Sequence, residues 1–124
     1  MSLHQNALNF KNERDYYKTG SLSMCINSVS IEKEIPKLYG SLRPYVCFDY
    51  QDREFKTKVG SGPEARYYQV FEFQIESLSD EIMFKVFDYE YFVPNAVAIC
   101  NFKVSALCIN GGNTFVDSDL YYAQ

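Results

Sequence analysis

The sequence has no tryptophan and a single histidine, and motifs typical of several protein classes are missing. The histidine, His4, lies in a polar N-terminal stretch, and neither a Gly-x-Ser-x-Gly motif nor a glycine-rich phosphate-binding loop occurs. These absences argue against an enzyme. No apolar run approaches the roughly 18 residues of a membrane-spanning helix, and no signal-peptide pattern is present. We therefore expect a cytoplasmic, non-enzymatic protein without a transmembrane segment.

Basic residues are too few and too unevenly placed for general nucleic-acid binding. Residues 1–60 hold 9 Lys and Arg against 7 Asp and Glu, whereas residues 61–124 hold 3 against 9. A nucleic-acid-binding surface needs an excess of positive charge, so we expect no nucleic-acid partner.

The four cysteines form neither a Cys-x-x-Cys pair nor a metal-ligand spacing. They are Cys25, Cys47, Cys100 and Cys108. Each lies in a run typical of a strand, so we expect reduced, partly buried thiols.

Aromatic content and alternation indicate β-structure. Aromatic residues make up 17% of the chain, and such side chains suit half-buried pleated surfaces. Leu22, Met24 and Ile26 alternate with more polar residues, the period of a strand with one buried face. Further strands are expected at residues 46–50, 55–59, 67–75, 82–87, 97–107 and 114–122, with a weak one at 3–10. Short strands without a long amphipathic helix predict one all-β antiparallel sandwich over residues 20–122, preceded by an N-terminal arm, residues 1–19.

Four segments, in this order, resemble a C2 domain, the calcium- and lipid-binding sandwich of conventional protein kinase C and synaptotagmin. Residues 40–46 are similar to the family's Gly-x-Ser-Asp-Pro-Tyr-Val, and residues 55–59 are similar to its Lys-Thr-Lys strand. Residues 70–73 and 84–90 resemble two later strands, the second carrying the family's Val-x-Asp-x-Asp. The resemblance implies an eight-stranded Greek-key β-sandwich. Its synaptotagmin-like strand order is favoured, because nothing after Tyr122 would supply the final strand of the alternative order.

The resemblance also implies where calcium would bind, between two loops that supply about five carboxylates. The first loop should offer two acids, but Lys37 and Arg43 stand at those positions. The third loop keeps Asp88 and Glu90, and its last acid is replaced by an apolar residue. We therefore expect no calcium cofactor and no metal site, with Asp88 and Glu90 as residual ligand candidates. These acids either remain solvated or pair with the two cations.

The third loop, residues 89–95, carries an aromatic and apolar tip. Exposed apolar tips mark interfaces, and aromatic rings with a polar end suit the lipid headgroup region. The resemblance implies docking on an anionic phospholipid surface or on a protein partner, with Lys37 and Arg43 beside the tip. The tip residues are Tyr89, Tyr91, Phe92 and Val93. The alternative is that they fold back over the end of the sandwich.

A second candidate is the family's phosphoinositide-binding patch, where Lys56 and Lys58 occupy outward positions. Asp52 and Glu54 lie beside them, so the alternative is a solvated strand of mixed charge.

Three functions remain open. The first is calcium-independent lipid docking, which implies peripheral membrane association. The second is a scaffold that binds protein without lipid, and the third is calcium-dependent lipid binding by a reduced site.

Overall fold

The computed structural model describes residues 1–9, 20–32, 42–89, 96–107, 114–117 and 120–122. Strands form because β-branched and aromatic residues alternate with polar ones along most of this length. The strands are β1 Ser2–Asn9, β2 Gly20–Ser30, β3 Pro44–Tyr50, β4 Arg53–Lys56, β5 Glu64–Ile75, β6 Glu81–Asp88, β7 Ala96–Lys103, β8 Thr114–Asp117 and β9 Tyr121–Tyr122. One short helix, α1 Val104–Leu107, follows β7.

Two antiparallel sheets form the predicted sandwich. The first sheet has the order β5-β2-β1-β8 and the second has the order β4-β3-β6-β7-β9. The weak N-terminal run is thus a strand, and β1 pairs with β2 on one side and β8 on the other. This placement confirms the all-β sandwich and its synaptotagmin-like order.

Between the sheets, the inward residues of the strands form one core. Phe48 lies at its centre and is 2% exposed. Its ring centroid lies 4.7 Å from Phe55, 5.0 Å from Phe84 and 5.4 Å from Phe71. Residues from both sheets therefore pack around one ring, and this packing fixes the ends of the strands that carry the loops.

The largest differences between predicted and observed strands concern the C-terminal parts of three of them. The run 55–59 ends at Lys56 because the hydroxyl of Thr57 accepts a hydrogen bond from the Val46 amide, 2.9 Å away, in place of a backbone partner. Val59 then points outward and is 43% exposed. The other two differences are further along the chain.

The predicted strand 97–107 ends at Lys103 and continues as α1, whose first amide donates to Asp80 O at 2.8 Å. The predicted strand 114–122 is split into β8 and β9, which belong to different sheets. The sandwich therefore has nine strands in its described part, instead of eight. Within the same residues, no helix has the length and apolar character needed to cross a membrane.

Candidate docking surface at the loop end

One end of the sandwich holds the strand ends that flank the loops predicted as a binding site. β2 and β6 end there and β3 and β7 begin there, together with residues 57–63 between β4 and β5. The structure describes Arg43, Asp88 and Tyr89 at this end. The other predicted loop residues lie outside the described residues and are Lys37, Glu90, Tyr91, Phe92 and Val93.

Arg43 and Tyr89 extend the pairing of β3 with β6 by one position. The last paired residues of these strands are Pro44 and Asp88. Beyond them, the Tyr89 amide donates to the carbonyl oxygen of Arg43 at 2.9 Å. The backbone of Arg43 is therefore held by a hydrogen bond that does not involve its side chain.

Asp88 is 4% exposed, and its carboxylate holds the first loop against the third. Oδ1 of Asp88 accepts a hydrogen bond from the Arg43 amide at 2.9 Å. A charged acceptor strengthens such a bond. Asp88, which the sequence predicted as a residual calcium ligand, thus binds the backbone of the first loop.

The Arg43 side chain lies on the aromatic part of the third loop. Its guanidinium carbon is 4.9 Å from the centroid of the Tyr89 ring, and Nη2 donates to Tyr89 O at 3.2 Å. The Tyr89 ring is 6.5 Å from Tyr45, which stacks on Phe87 at 5.4 Å. A cation over an aromatic face is stabilising. Because Tyr89 is 43% exposed, this pair presents a positive and aromatic surface to solvent.

Residues 57–63 and Tyr67 form a brace, a set of hydrogen bonds that holds the backbone beside Arg43. The carbonyl oxygen of Pro44, next to Arg43, accepts hydrogen bonds from the Gly60 amide at 2.7 Å and from the buried hydroxyl of Tyr67. The Gly62 amide donates to Leu42 O at 2.8 Å. Burial raises the pKa of Tyr67, so its phenol stays protonated and keeps donating. Sequence reasoning missed this brace, and the only signal for it was the Gly-Ser-Gly-Pro turn at residues 60–63.

In the described part of the loop end, Arg43 lies beside Asp88. Within the described residues, no group of three or more His, Cys, Asp and Glu side chains is placed to hold a metal. The first-loop position that should supply an acid instead supplies the cation of Arg43, and a hard dication requires several anionic oxygens.

Lys56 and Lys58 are both exposed, as their outward positions predicted. Lys56 Nζ lies 3.0 Å from Glu54 Oε1, and the main-chain amide of Lys58 donates to Gln69 Oε1 at 2.9 Å. The positive charge of Lys56 is thus offset by its own neighbour, which weakens this surface as an anion-binding patch.

Comparisons with known proteins agree with the observed fold. Residues 23–116 match the family model described as C2 domain. Among solved structures, C2 domain A of plant extended synaptotagmin 1 has a TM-score of 0.55 and 15% identity, covering 84% of this chain and 69% of that one. A C2 domain-containing protein from a putative elicitor-responsive gene has a TM-score of 0.62 and 19% identity, covering 77% and 71%.

C2 domain A of RIM from Drosophila has a TM-score of 0.60 and 13% identity, covering 99% of this chain and 97% of that one. Identities this low establish the fold alone. A comparison with curated protein sequences finds no match.

Proposed function

Because the chain belongs to the C2 domain family, whose members are generally non-catalytic docking modules for lipids or proteins, we propose that it docks on anionic phospholipid membranes without calcium. The docking surface is the loop end of the sandwich. It is formed by Arg43 and Tyr89, together with the predicted tip residues of the third loop.

The position of Arg43 carries this proposal. Its backbone is bound to Asp88 and Tyr89, and its guanidinium lies on a half-exposed aromatic ring. A calcium ion in this family would neutralise acids and attract anionic headgroups, whereas a fixed guanidinium attracts them directly. Tyr89 adds a ring with a polar end, which is suited to the headgroup region. Both groups are permanent parts of the chain, so docking needs no added ion.

The binding should be weak. A basic residue near an anionic surface contributes about 1 kcal/mol, and this contribution decreases as salt screens the charge. Weak docking becomes effective when a second membrane-binding element is linked to the first. We therefore expect measurable binding at low ionic strength and a strong decrease at high ionic strength.

Arg43→Gln should reduce partitioning onto phosphatidylserine-containing vesicles about fivefold in the presence of a chelator, because one fixed charge of about 1 kcal/mol is lost. The matched control is Arg66→Gln, which removes an exposed charge of the same kind from β5 in the other sheet. Vesicle co-sedimentation at low ionic strength measures both variants. The main-chain bonds of Arg43 do not use its side chain, so the variant should fold.

Two outcomes would overturn the proposal. One is no binding of the native chain to any anionic vesicle, which would leave protein docking as the function of this family member. The other is equal loss in Arg43→Gln and Arg66→Gln, because binding would then depend on total charge and not on the loop end.

A further inference from the structure

The outer face of the second sheet carries charged, apolar and thiol side chains close together. Five outward residues lie side by side across its five strands, because each is the direct cross-strand partner of the next. They are Lys56, Cys47, Lys85, Ile99 and Tyr121. At the next outward position of β3 and β4, Asp49 lies opposite Glu54. The face thus has a basic row next to an acidic pair.

A shallow groove of 190 Å³ runs between these charges and is lined by Cys47, Asp49, Met83 and Lys85, among others. Burial raises the pKa of the Cys47 thiol to about 11, and two lysines and two carboxylates act on it in opposite directions. The thiol is therefore protonated at neutral pH and unreactive. Two charges of each sign surround it.

Two of these charges have no ion-pair partner in the described part of the chain. Lys56 pairs with Glu54 at 3.0 Å, whereas neither Lys85 nor Asp49 forms a salt bridge there. Two carboxylates directly opposite each other repel, so Asp49 beside Glu54 favours an additional cation. The face therefore offers one available cation and one available anion, on the same groove.

Apolar groups lie between and beside them. Met83 lines the groove and is 42% exposed, and Tyr121 at the edge of the sheet is 70% exposed. Exposed apolar groups that cluster on one face are typical of an interface.

We propose that this face binds the same face of a second copy of the chain, around a two-fold axis that passes close to Met83. A two-fold interface brings each residue i of one copy against residue j of the other and residue j against residue i. Lys85 of one copy then faces Asp49 of the other, twice, and the exposed methionines meet at the centre. An anionic membrane would gain little here because the groove carries equal numbers of opposite charges.

The test is sedimentation velocity of the native chain over a range of concentrations, without lipid. We expect a reversible monomer–dimer equilibrium. Lys85→Asp alone and Asp49→Lys alone should each weaken dimerisation at least about tenfold, because each places two like-charge pairs across the axis. The double variant Asp49→Lys with Lys85→Asp has the native net charge and should restore dimerisation to within about threefold of the native constant.

Arg66→Asp and Glu72→Lys are the matched controls, since both residues are exposed on β5 in the other sheet. They should leave dimerisation unchanged. A native chain that stays monomeric at every concentration would overturn the proposal. Controls that weaken dimerisation as much as the face variants, or a double variant that remains monomeric, would also overturn it. Because no lipid is present, these outcomes are independent of membrane docking.

Discussion

Phe48→Ala should lower the free energy of unfolding by about 3–5 kcal/mol, the largest effect that we expect from one side chain. The ring of Phe48 contacts rings from both sheets, including Phe71 and Phe73 of β5 and Phe84 of β6. Its removal leaves a cavity that these rigid rings cannot close. The loss therefore combines the transfer free energy of the ring with the cost of the cavity.

Urea unfolding measures this effect, with Phe87→Ala as the control. Phe87 is half-buried on the outer face of the second sheet and stacks on Tyr45 alone among the described rings, so its loss should cost about 1 kcal/mol. If Phe48→Ala is unfolded without urea, Phe48→Leu supplies the measurement and should still be less stable than Phe87→Ala. Equal destabilisation by Phe48 and Phe87 variants would contradict a core centred on Phe48.

Gly60→Ala should lower the free energy of unfolding by about 2–3 kcal/mol, because the close packing around Gly60 leaves no room for a methyl group. A Cβ at this position would lie 2.7 Å from Ala65 Cβ, 3.0 Å from the Tyr67 hydroxyl and 3.1 Å from Pro44 O. Relief of these contacts would move the loop away from Pro44 and break the bonds that hold this carbonyl.

The matched control is Gly62→Ala, two residues away in the same turn. Gly62 has a φ of 80°, and among the described residues no atom beyond its chain neighbours lies within 4 Å of the position that a Cβ would occupy. We therefore expect its substitution to cost only backbone strain of about 1 kcal/mol. Thermal or urea unfolding of both variants gives the comparison. A larger loss in Gly62→Ala than in Gly60→Ala would show that the brace behind Arg43 does not depend on this close approach.

The sequence predicts the sheets well because their main signal is local. Leu22, Met24 and Ile26 alternate with more polar residues, and the structure buries all three. The ends of strands depend on contacts that are distant in sequence, and they were predicted less well. Thr57 ends β4 through an amide 11 residues away, and α1 begins where its first amide reaches Asp80. Alternation carries no information about either partner.

The candidate site likewise has features that the sequence predicts and features that it does not. Its positions follow from the resemblance of residues 40–46 and 84–90 to the family, and Arg43 was recognised as a cation where an acid is expected. The placement of its guanidinium on Tyr89 depends on the pairing of β3 with β6 and could not be derived from composition. The roles of Lys37, Glu90, Tyr91, Phe92 and Val93 stay predictions.

Vesicle co-sedimentation of the native chain, in chelator and in millimolar calcium, tests the central claim most directly. The fixed charge of Arg43 should give the same bound fraction on phosphatidylserine-containing vesicles in both solutions, and calorimetric titration with calcium should show no saturable heat. Binding that appears only with calcium, together with saturation below millimolar calcium, would contradict the account.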